Sequence, residues 1–279
     1  MTTQLTTPAT VTTSGVGSTR HEAPSGGLGW AVRDTMAMVW RNLVTVRRVP
    51  QLLVFATVQP VIFVLMFRYV FGGAIKIPGV RYVDFLMPGI FAQTVSFGAI
   101  NTAVGLADDR TKGLIERMRS LPMSRSAVLA GRTLADTFRN VFVFALMTIV
   151  GFLVGFRLHA GVLPFVGGML VLLLFGFSLC WLFAFIGLSV PNAEAAQAAA
   201  FPLIAPLTFA STAFVNAESM PRPLAFWARN QPLSAAVGAI RACVLGGPTA
   251  TKVIISIAWS IGMVLILAPL AIWKYRKVN

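Results

Sequence analysis

Long runs of apolar residues alternate with short polar stretches along this chain. A helix needs about 20 apolar residues to cross a hydrocarbon core of roughly 30 Å, and several of the runs reach that length. The pattern predicts six transmembrane helices, at about residues 52–70, 83–107, 141–156, 162–190, 195–215 and 253–273. Gly and Pro within these runs are compatible with membrane helices, because neighbouring helices can satisfy the freed backbone groups. The predicted fold class is an all-α integral membrane protein.

Two segments precede the first predicted span. Residues 1–27 are rich in Thr, Ser, Gly and Pro, which predicts a disordered cytoplasmic tail rather than a signal peptide. In residues 28–49, apolar positions recur every three to four residues, and Asp34, Arg41 and Arg48 mark the opposite face. This spacing predicts an amphipathic helix lying in the membrane interface, with a helix packed against a partner as the alternative. Residues 50–279 are then the transmembrane domain.

Composition and charge support a membrane protein and predict its orientation. Of the 279 residues, 56% are hydrophobic and only 11% are charged. The net charge is +14, but Lys and Arg lie between the apolar runs instead of forming one basic patch, which argues against nucleic acid as a partner. Alternate sides of the six spans carry 15 and 8 Lys and Arg residues. The excess predicts that both termini and residues 108–140 are cytoplasmic.

The sequence contains neither a nucleotide site nor an evident proton relay. No GxxxxGK[ST] loop is present, and the nine acidic residues lie in tails, loops or at span edges, with Asp84, Asp136 and Glu194 nearest to the spans. The cysteines, Cys180 and Cys243, lack CxxC spacing or a nearby His, which argues against a metal site or a disulfide. Energy for transport is therefore expected from a partner subunit. A stand-alone secondary carrier and a membrane-embedded lipid transferase are the alternatives.

The connection between the second and third predicted spans carries the most specific pattern. From Asp108 it reads DDRTKGLIERMRSLPMSRSAVLAGRTLADTFRN. Gly113 permits a tight turn, Leu114 and Met118 share one helical face, and Pro122 ends the short helix. An exposed helix of this kind is suited to docking in a groove of a cytoplasmic protein. A solvated loop whose charges only set the topology is the alternative.

The same connection resembles that of the membrane subunits of ABC type-2 transporters, permeases that export drugs, lipids or polysaccharides. In that family this loop is the coupling helix, which receives motion from a cytoplasmic ATPase subunit. The resemblance implies that the coupling residues are Asp109, Arg110, Gly113, Leu114, Glu116, Arg117, Arg119, Leu121 and Pro122.

A second match to the same family lies between the fifth and sixth predicted spans. The segment from Met220, MPRPLAFWARNQPLSAAVGAIRACVLGG, follows the family's external pattern of Pro, an aromatic-rich short helix, Asn-x-Pro and an Arg-containing helix. Its matching residues are Pro221, Trp227, Asn230, Pro232 and Arg241. The segment is too interrupted to span but apolar enough to dip into the outer leaflet, so external re-entrant helices are expected. A simple extracellular loop is the alternative.

The resemblance covers nearly the whole chain after residue 28, and the daunorubicin-resistance type of permease is the most similar subgroup. It implies a non-catalytic permease subunit of an exporter for a hydrophobic or amphipathic drug or lipid, in the plasma membrane, which for a bacterium is the inner membrane. The implied partners are a cytoplasmic ABC ATPase subunit, a second permease copy or paralogue, and membrane lipid. This chain is expected to bind no cofactor, with ATP and Mg on the ATPase subunit.

Three polar residues within the spans are candidates for the transport pathway. Gln59, Gln93 and Asn101 lie in otherwise apolar stretches. Such residues commonly make hydrogen bonds between helices, which is the alternative interpretation. Asp136 and Arg139, three residues apart, are predicted to form a pair at the cytoplasmic end of the third helix, with a structural role favoured over a transport role.

Overall fold

The structure is a computed structural model that describes residues 33, 35–40, 50–73, 79–114 and 125–277. Throughout these ranges the chain forms helices joined by turns, and no β-strand occurs in them. The α-helices of the described part from Pro50 onward are α1 (Pro50–Met66), α2 (Tyr82–Thr111), α3 (Arg125–Leu153), α4 (Val162–Gly187), α5 (Ala193–Phe209), α6 (Arg222–Asn230), α7 (Pro232–Leu245) and α8 (Thr249–Lys277). This confirms that the described chain is all-α.

Four of the described helices, α2, α3, α4 and α8, are long and apolar enough to cross a membrane. They coincide with the predicted spans 83–107, 141–156, 162–190 and 253–273. With 30 residues, α2 extends over about 45 Å, so it projects beyond a hydrocarbon core of roughly 30 Å. The chain is therefore a multi-pass membrane protein.

The other two predicted spans correspond to shorter helices. Both α1 and α5 have 17 residues, and α1 continues into a π-helical turn at Phe67–Phe71. The predicted span 195–215 is too long at its end, because α5 stops at Phe209 and a turn follows. Backbone groups of that turn bond instead to side chains of α7: the Thr212 amide donates to Ser234 Oγ at 3.1 Å. That these two segments cross the bilayer stays a prediction.

Residues 127–140, which belong to the connection predicted to be cytoplasmic, and residues 141–153 of the predicted span 141–156 form one continuous helix, α3. Beyond the end of α3, Gly155 adopts a positive φ of 98°, which turns the chain towards α4. Large apolar side chains near this turn are open to the surroundings: Leu153 is 81% and Leu163 is 84% exposed. Exposed apolar surface of this kind is suited to contact with lipid tails.

Helix α2 is the centre of the bundle. Its first fifteen residues, 82–96, are all buried, and the helix packs against α4, α5 and α7. Glycines allow the closest approaches. A Cβ on Gly89 would overlap the backbone carbonyl of Ala213, and a Cβ on Gly187 would overlap that of Ala103. Small residues at such contacts let backbones pack closely, as is usual in membrane bundles.

Part of the predicted amphipathic segment is described and is helical at Arg33 and at residues 35–40. Met38 is buried against Leu129 of α3 and Tyr275 of α8, whereas Trp40 is 69% exposed. One side of the described part therefore packs on the transmembrane helices, but its exposed side carries the apolar residues Met36 and Trp40. That this segment lies in the membrane interface stays a prediction. The rest of residues 28–49, and the predicted tail of residues 1–27, lie outside the described residues.

Candidate functional site

The connection that carries the first motif begins in ordered structure at the end of α2. Lys112 forms an ion pair with Asp108 at 2.6 Å, and this hydrogen bond raises the pKa of the Lys112 amine. Gly113 has a φ of 66°, a conformation that favours glycine, and it redirects the chain after the helix. Leu114 then packs against the cluster that contains Met38 and Leu129. The motif's start is therefore fixed to both the amphipathic segment and α3.

The acidic and basic residues of the motif make long-range contacts. Asp109 accepts from Arg132 of α3 at 2.5 Å, and both side chains are mostly buried. Arg132 reaches Asp109 across Gly105, where any Cβ would overlap its guanidinium group. Arg110 donates to the carbonyl oxygen of Val190 at 3.2 Å, in the link between α4 and α5. The two residues thus hold the motif to different helices.

The remaining residues predicted for coupling lie outside the described residues. They are Glu116, Arg117, Arg119, Leu121 and Pro122. Their contact with an ATPase subunit stays a prediction.

One helical turn along α2 from Gly105, a buried ion pair within α3 makes hydrogen bonds to α2. Asp136 pairs with Arg139 at 3.0 Å and accepts a hydrogen bond from Thr102 Oγ1 at 2.5 Å. Arg139 also donates to the carbonyl oxygen of Gly98 at 3.0 Å. The predicted pair is confirmed in position, but its side chains are only 11% and 12% exposed. It is therefore an interior contact rather than the surface pair whose energy would be tenths of a kcal/mol.

These contacts form a continuous row, which we name the polar seam. It consists of Gly98, Thr102, Gly105 and Asp109 on α2 and Arg132, Asp136, Arg139 and Asn140 on α3. Positions three and four residues apart share one face of a helix, so each set lies along a single stripe. Asp109, Asp136 and Arg139 are candidates from the sequence alone, whereas the other members are found only in the structure. The spacing of the members on α2 could have been recognised in the sequence, whereas their pairing with the stripe on α3 could not.

The seam ends at a cleft among α1, α2 and α3 with an empty volume of about 510 Å³. The three predicted pathway residues, Gln59, Gln93 and Asn101, all line it. The other lining residues are Pro60, Phe63, Thr94, Phe97, Gly98, Arg139, Asn140 and Val143. The structure therefore brings together residues that lie far apart in the sequence, at a place where the polar seam meets aromatic side chains.

Within the cleft, Gln93 has an unused acceptor. Its side chain is only 4% exposed, and its Oε1 atom has no hydrogen-bond partner. Asn101, which is exposed, donates to the Gly98 carbonyl oxygen at 3.3 Å. A buried acceptor without a partner costs about 1–3 kcal/mol, so a ligand that donates a hydrogen bond there would be favoured.

The second motif lies at the opposite end of α2. Arg241 of α7 donates through Nη2 to the carbonyl oxygens of Phe85, Thr212 and Ala213 at 3.2, 3.0 and 3.1 Å. Its guanidinium also lies 3.6 Å from the centre of the Phe85 ring. Phe85 and Asp109 are 24 positions apart in one helix, a rise of about 36 Å. The two motifs are thus separated by about the thickness of a membrane.

The other predicted residues of the second motif shape the helices α6 and α7. Pro221 precedes α6, and Pro232 is the first residue of α7, a position that suits proline because no backbone N–H is needed there. Trp227 is 54% exposed. Asn230 donates to the Phe226 carbonyl oxygen at 2.8 Å at the end of α6. The pattern predicts two short helices here, and the structure has them; their insertion in the membrane stays a prediction.

Two carboxyl groups that the sequence places at span edges are buried. Asp84 accepts from the Arg157 amide at 2.8 Å and pairs with Arg81 at 2.8 Å, and Asp136 pairs with Arg139. Each thus has a cationic partner within the bundle. In the described part of the chain, no three His, Cys, Asp or Glu side chains are grouped as for a metal ion.

Comparison with known proteins agrees with this arrangement. The family model described as ABC-2 type transporter matches residues 33–245, more than half of the chain. A daunorubicin resistance ABC transporter permease protein of Streptomyces coeruleorubidus is 36% identical over 249 residues, which cover 89% of this chain and 88% of that protein. A probable doxorubicin resistance ABC transporter permease protein of Mycobacterium tuberculosis is 28% identical, with 80% and 81% covered. A putative transport permease of Cyanophora paradoxa is 26% identical, with 75% and 73% covered. These matches confirm the resemblance found in the two motifs, and the chain belongs to the ABC-2 type transporter family.

Proposed function

We propose that this chain is the transmembrane permease subunit of an ATP-binding-cassette exporter that moves a hydrophobic or amphipathic drug or lipid out of the cytoplasm. A separate cytoplasmic ATPase subunit, which holds ATP and Mg, supplies the energy, and this chain is not itself catalytic. The expected location is the plasma membrane, in a bacterium the inner membrane. A second permease copy or a paralogue completes the pathway.

The polar seam is the observation that carries the proposal. It starts at Asp109, inside the motif expected to contact the ATPase, and ends at Arg139 and Asn140 in the wall of the cleft. Each contact along it lies about one helical turn from the next. A displacement of the connection would therefore reach the cleft through charged and hydrogen-bonded contacts, which have a strong preference for particular distances.

The cleft supports an amphipathic substrate. It combines the aromatic rings of Phe63 and Phe97 with the polar groups of Gln93, Arg139 and Asn140. Ligand sites commonly place a few polar groups within a mostly apolar lining in this way. Because relatives are named for resistance to daunorubicin and doxorubicin, daunorubicin is the first substrate to test.

The test uses inverted membrane vesicles that contain the full chain together with its ATPase subunit. We expect ATP-dependent accumulation of daunorubicin, and none when the ATPase subunit carries a substitution of its phosphate-binding Lys. Accumulation driven by a proton gradient without ATP would contradict the proposal and would favour a secondary carrier.

The coupling role is tested by Glu116→Ala in the same vesicles. We expect the amount of drug exported per ATP hydrolysed to fall, because the carboxylate of Glu116 no longer contacts the ATPase subunit. Insertion of the chain into the membrane should be retained. Glu22→Ala, far from the motif in the sequence, is the matched control. Unchanged export by Glu116→Ala would remove this residue from the coupling mechanism.

A further inference from the structure

A wide cavity opens at the end of the bundle that is opposite to the coupling connection. It lies among α6, α7, α8 and the turn that follows α5, and its empty volume is about 1870 Å³. Three cationic side chains line it, Arg229, Arg241 and Lys252, against one acidic side chain, Glu218. The described walls of this cavity, which we name the basic cup, therefore carry an excess of positive charge.

The charge of Arg241 is not neutralised by any acid in the described part of the chain. Its contacts are to three backbone carbonyl oxygens, and none of the ion pairs among the described residues includes it. Its Nε atom is buried without a hydrogen-bond partner. Carbonyl dipoles orient a guanidinium group but leave its full charge in place, so an anion in the basic cup would be attracted.

An apolar groove continues from the basic cup along α8. Ile255 and Trp259 line both, and the groove then follows Gly262, Met263 and Ile266 over an empty volume of about 850 Å³. A Cβ on Gly262 would meet nothing within 4 Å, so the glycine leaves open space in the groove. The groove runs down a helix that is long and apolar enough to cross a membrane.

We propose that the basic cup and this groove together bind one phospholipid with an anionic headgroup. The phosphate lies in the basic cup near Arg229, Arg241 and Lys252, and an acyl chain lies along Gly262. The excess of positive charge in the basic cup favours an anionic headgroup. Because the apolar groove shares lining residues with the basic cup, an acyl chain in the groove can belong to the same lipid molecule. This site is separate from the cleft of the proposed transport pathway, so it does not depend on the proposed function.

The first measurement needs no variant. The full chain, purified in detergent, is mixed with equal amounts of dioleoyl phosphatidylglycerol and dioleoyl phosphatidylcholine, and native mass spectrometry counts the lipids that stay bound. We expect phosphatidylglycerol to be retained preferentially, because only its headgroup has a net negative charge. Equal retention of the two lipids would overturn the proposal.

Variants then locate the bound lipid. Loss of one cation should weaken phosphatidylglycerol binding about fivefold, so the double variant Arg229→Gln and Lys252→Gln should weaken it about twenty-five-fold. Arg222→Gln is the matched control, since Arg222 is an exposed cation of α6 that does not line the basic cup. Equal losses in the control and the double variant would place the lipid elsewhere and contradict the site.

The groove is tested by Gly262→Leu, which places a side chain in the path of the acyl chain. Gly167→Leu, which adds the same side chain at another open position of a membrane helix, is the control. We expect only Gly262→Leu to reduce retention of phosphatidylglycerol. If inorganic phosphate competes fully with the lipid and Gly262→Leu has no effect, the site binds a free anion and the proposal fails. It also fails if Gly262→Leu abolishes dimer formation and leaves lipid retention unchanged, because the groove is then covered by a second copy.

Discussion

Removal of the charge on Asp136 should destabilise the chain strongly. In the native structure this carboxylate balances Arg139 and accepts from Thr102, with only 11% of its side chain exposed. In Asp136→Asn the guanidinium of Arg139 stays in the same interior position without a counter-charge. Loss of one partner from a buried ion pair typically costs about 3–5 kcal/mol. We expect the free energy of unfolding to fall by an amount in the lower half of that range, because Arg139 keeps its bond to the Gly98 carbonyl oxygen.

Three further variants, Thr102→Val, Arg139→Gln and the double variant of Asp136 and Arg139, separate the charge from the hydrogen bond. Thr102→Val removes one hydrogen bond to a charged acceptor and should cost about 1.5–3 kcal/mol. The double variant Asp136→Asn with Arg139→Gln removes both charges, so no ion is left uncompensated. It should be less destabilised than the sum of the two single variants by about 1–3 kcal/mol, as is usual for residues in one network.

The assay is reversible unfolding of the purified chain in mixed detergent micelles, followed by helix content for the wild type and the four variants. The ion pair accounts for the loss of stability only if the effects of Asp136→Asn and Arg139→Gln on the free energy of unfolding are non-additive. If Asp136→Asn lies within 0.5 kcal/mol of the wild type, or if the double variant is simply additive, the polar seam does not stabilise the packing of α2 against α3. The threshold of about 0.5 kcal/mol is the usual limit for independent sites.

Three other predictions follow from the same structure. A membrane-impermeant amine reagent should modify the exposed Lys112 only in inverted vesicles and the exposed Lys252 only in right-side-out vesicles. Peptide mass spectrometry identifies the modified lysines, and modification of both in one kind of vesicle would contradict the predicted orientation. Gly187→Ala should lower the free energy of unfolding by about 1–3 kcal/mol, because the added Cβ would overlap the Ala103 carbonyl. Gly167→Ala, at an open position of the same helix, should be neutral or stabilising, and equal effects of the two variants would refute the close contact. Arg132→Gln should lower the drug exported per ATP hydrolysed, and a normal ratio in vesicles would show that the seam does not transmit motion.

The long helices were predictable from the sequence because each satisfies its own backbone hydrogen bonds and needs only a sufficient apolar run. The runs at residues 83–107, 162–190 and 253–273 therefore coincide closely with α2, α4 and α8. The end of α5 was not predictable in this way. Apolar residues continue after Phe209, but the backbone of Thr212 is bonded to Ser234 and Arg241 of a later helix. Such tertiary contacts end a helix without a local signal.

The site was only partly predictable for the same reason. The stripe of Gly98, Thr102, Gly105 and Asp109 can be found from its spacing once α2 is recognised. Its contacts depend on Arg132 and its neighbours on α3, and their register against α2 is set by packing. Gly105 illustrates the point: in the sequence it is one more glycine in an apolar helix, whereas in the structure it is the space through which Arg132 reaches Asp109.

The arrangement also indicates which parts of the bundle move together in the proposed mechanism. The polar seam joins α2 to α3 by charged contacts, whereas the third wall of the cleft, α1, supplies Gln59, Pro60 and Phe63. A displacement that starts at the connection therefore acts on α2 and α3 as one unit and changes their distance from α1. Because the cleft lies between that unit and α1, the displacement would open or close it directly. The amphipathic segment takes part as well, since a Cβ on Gly131, beside Arg132 in α3, would overlap the side chain of Met38.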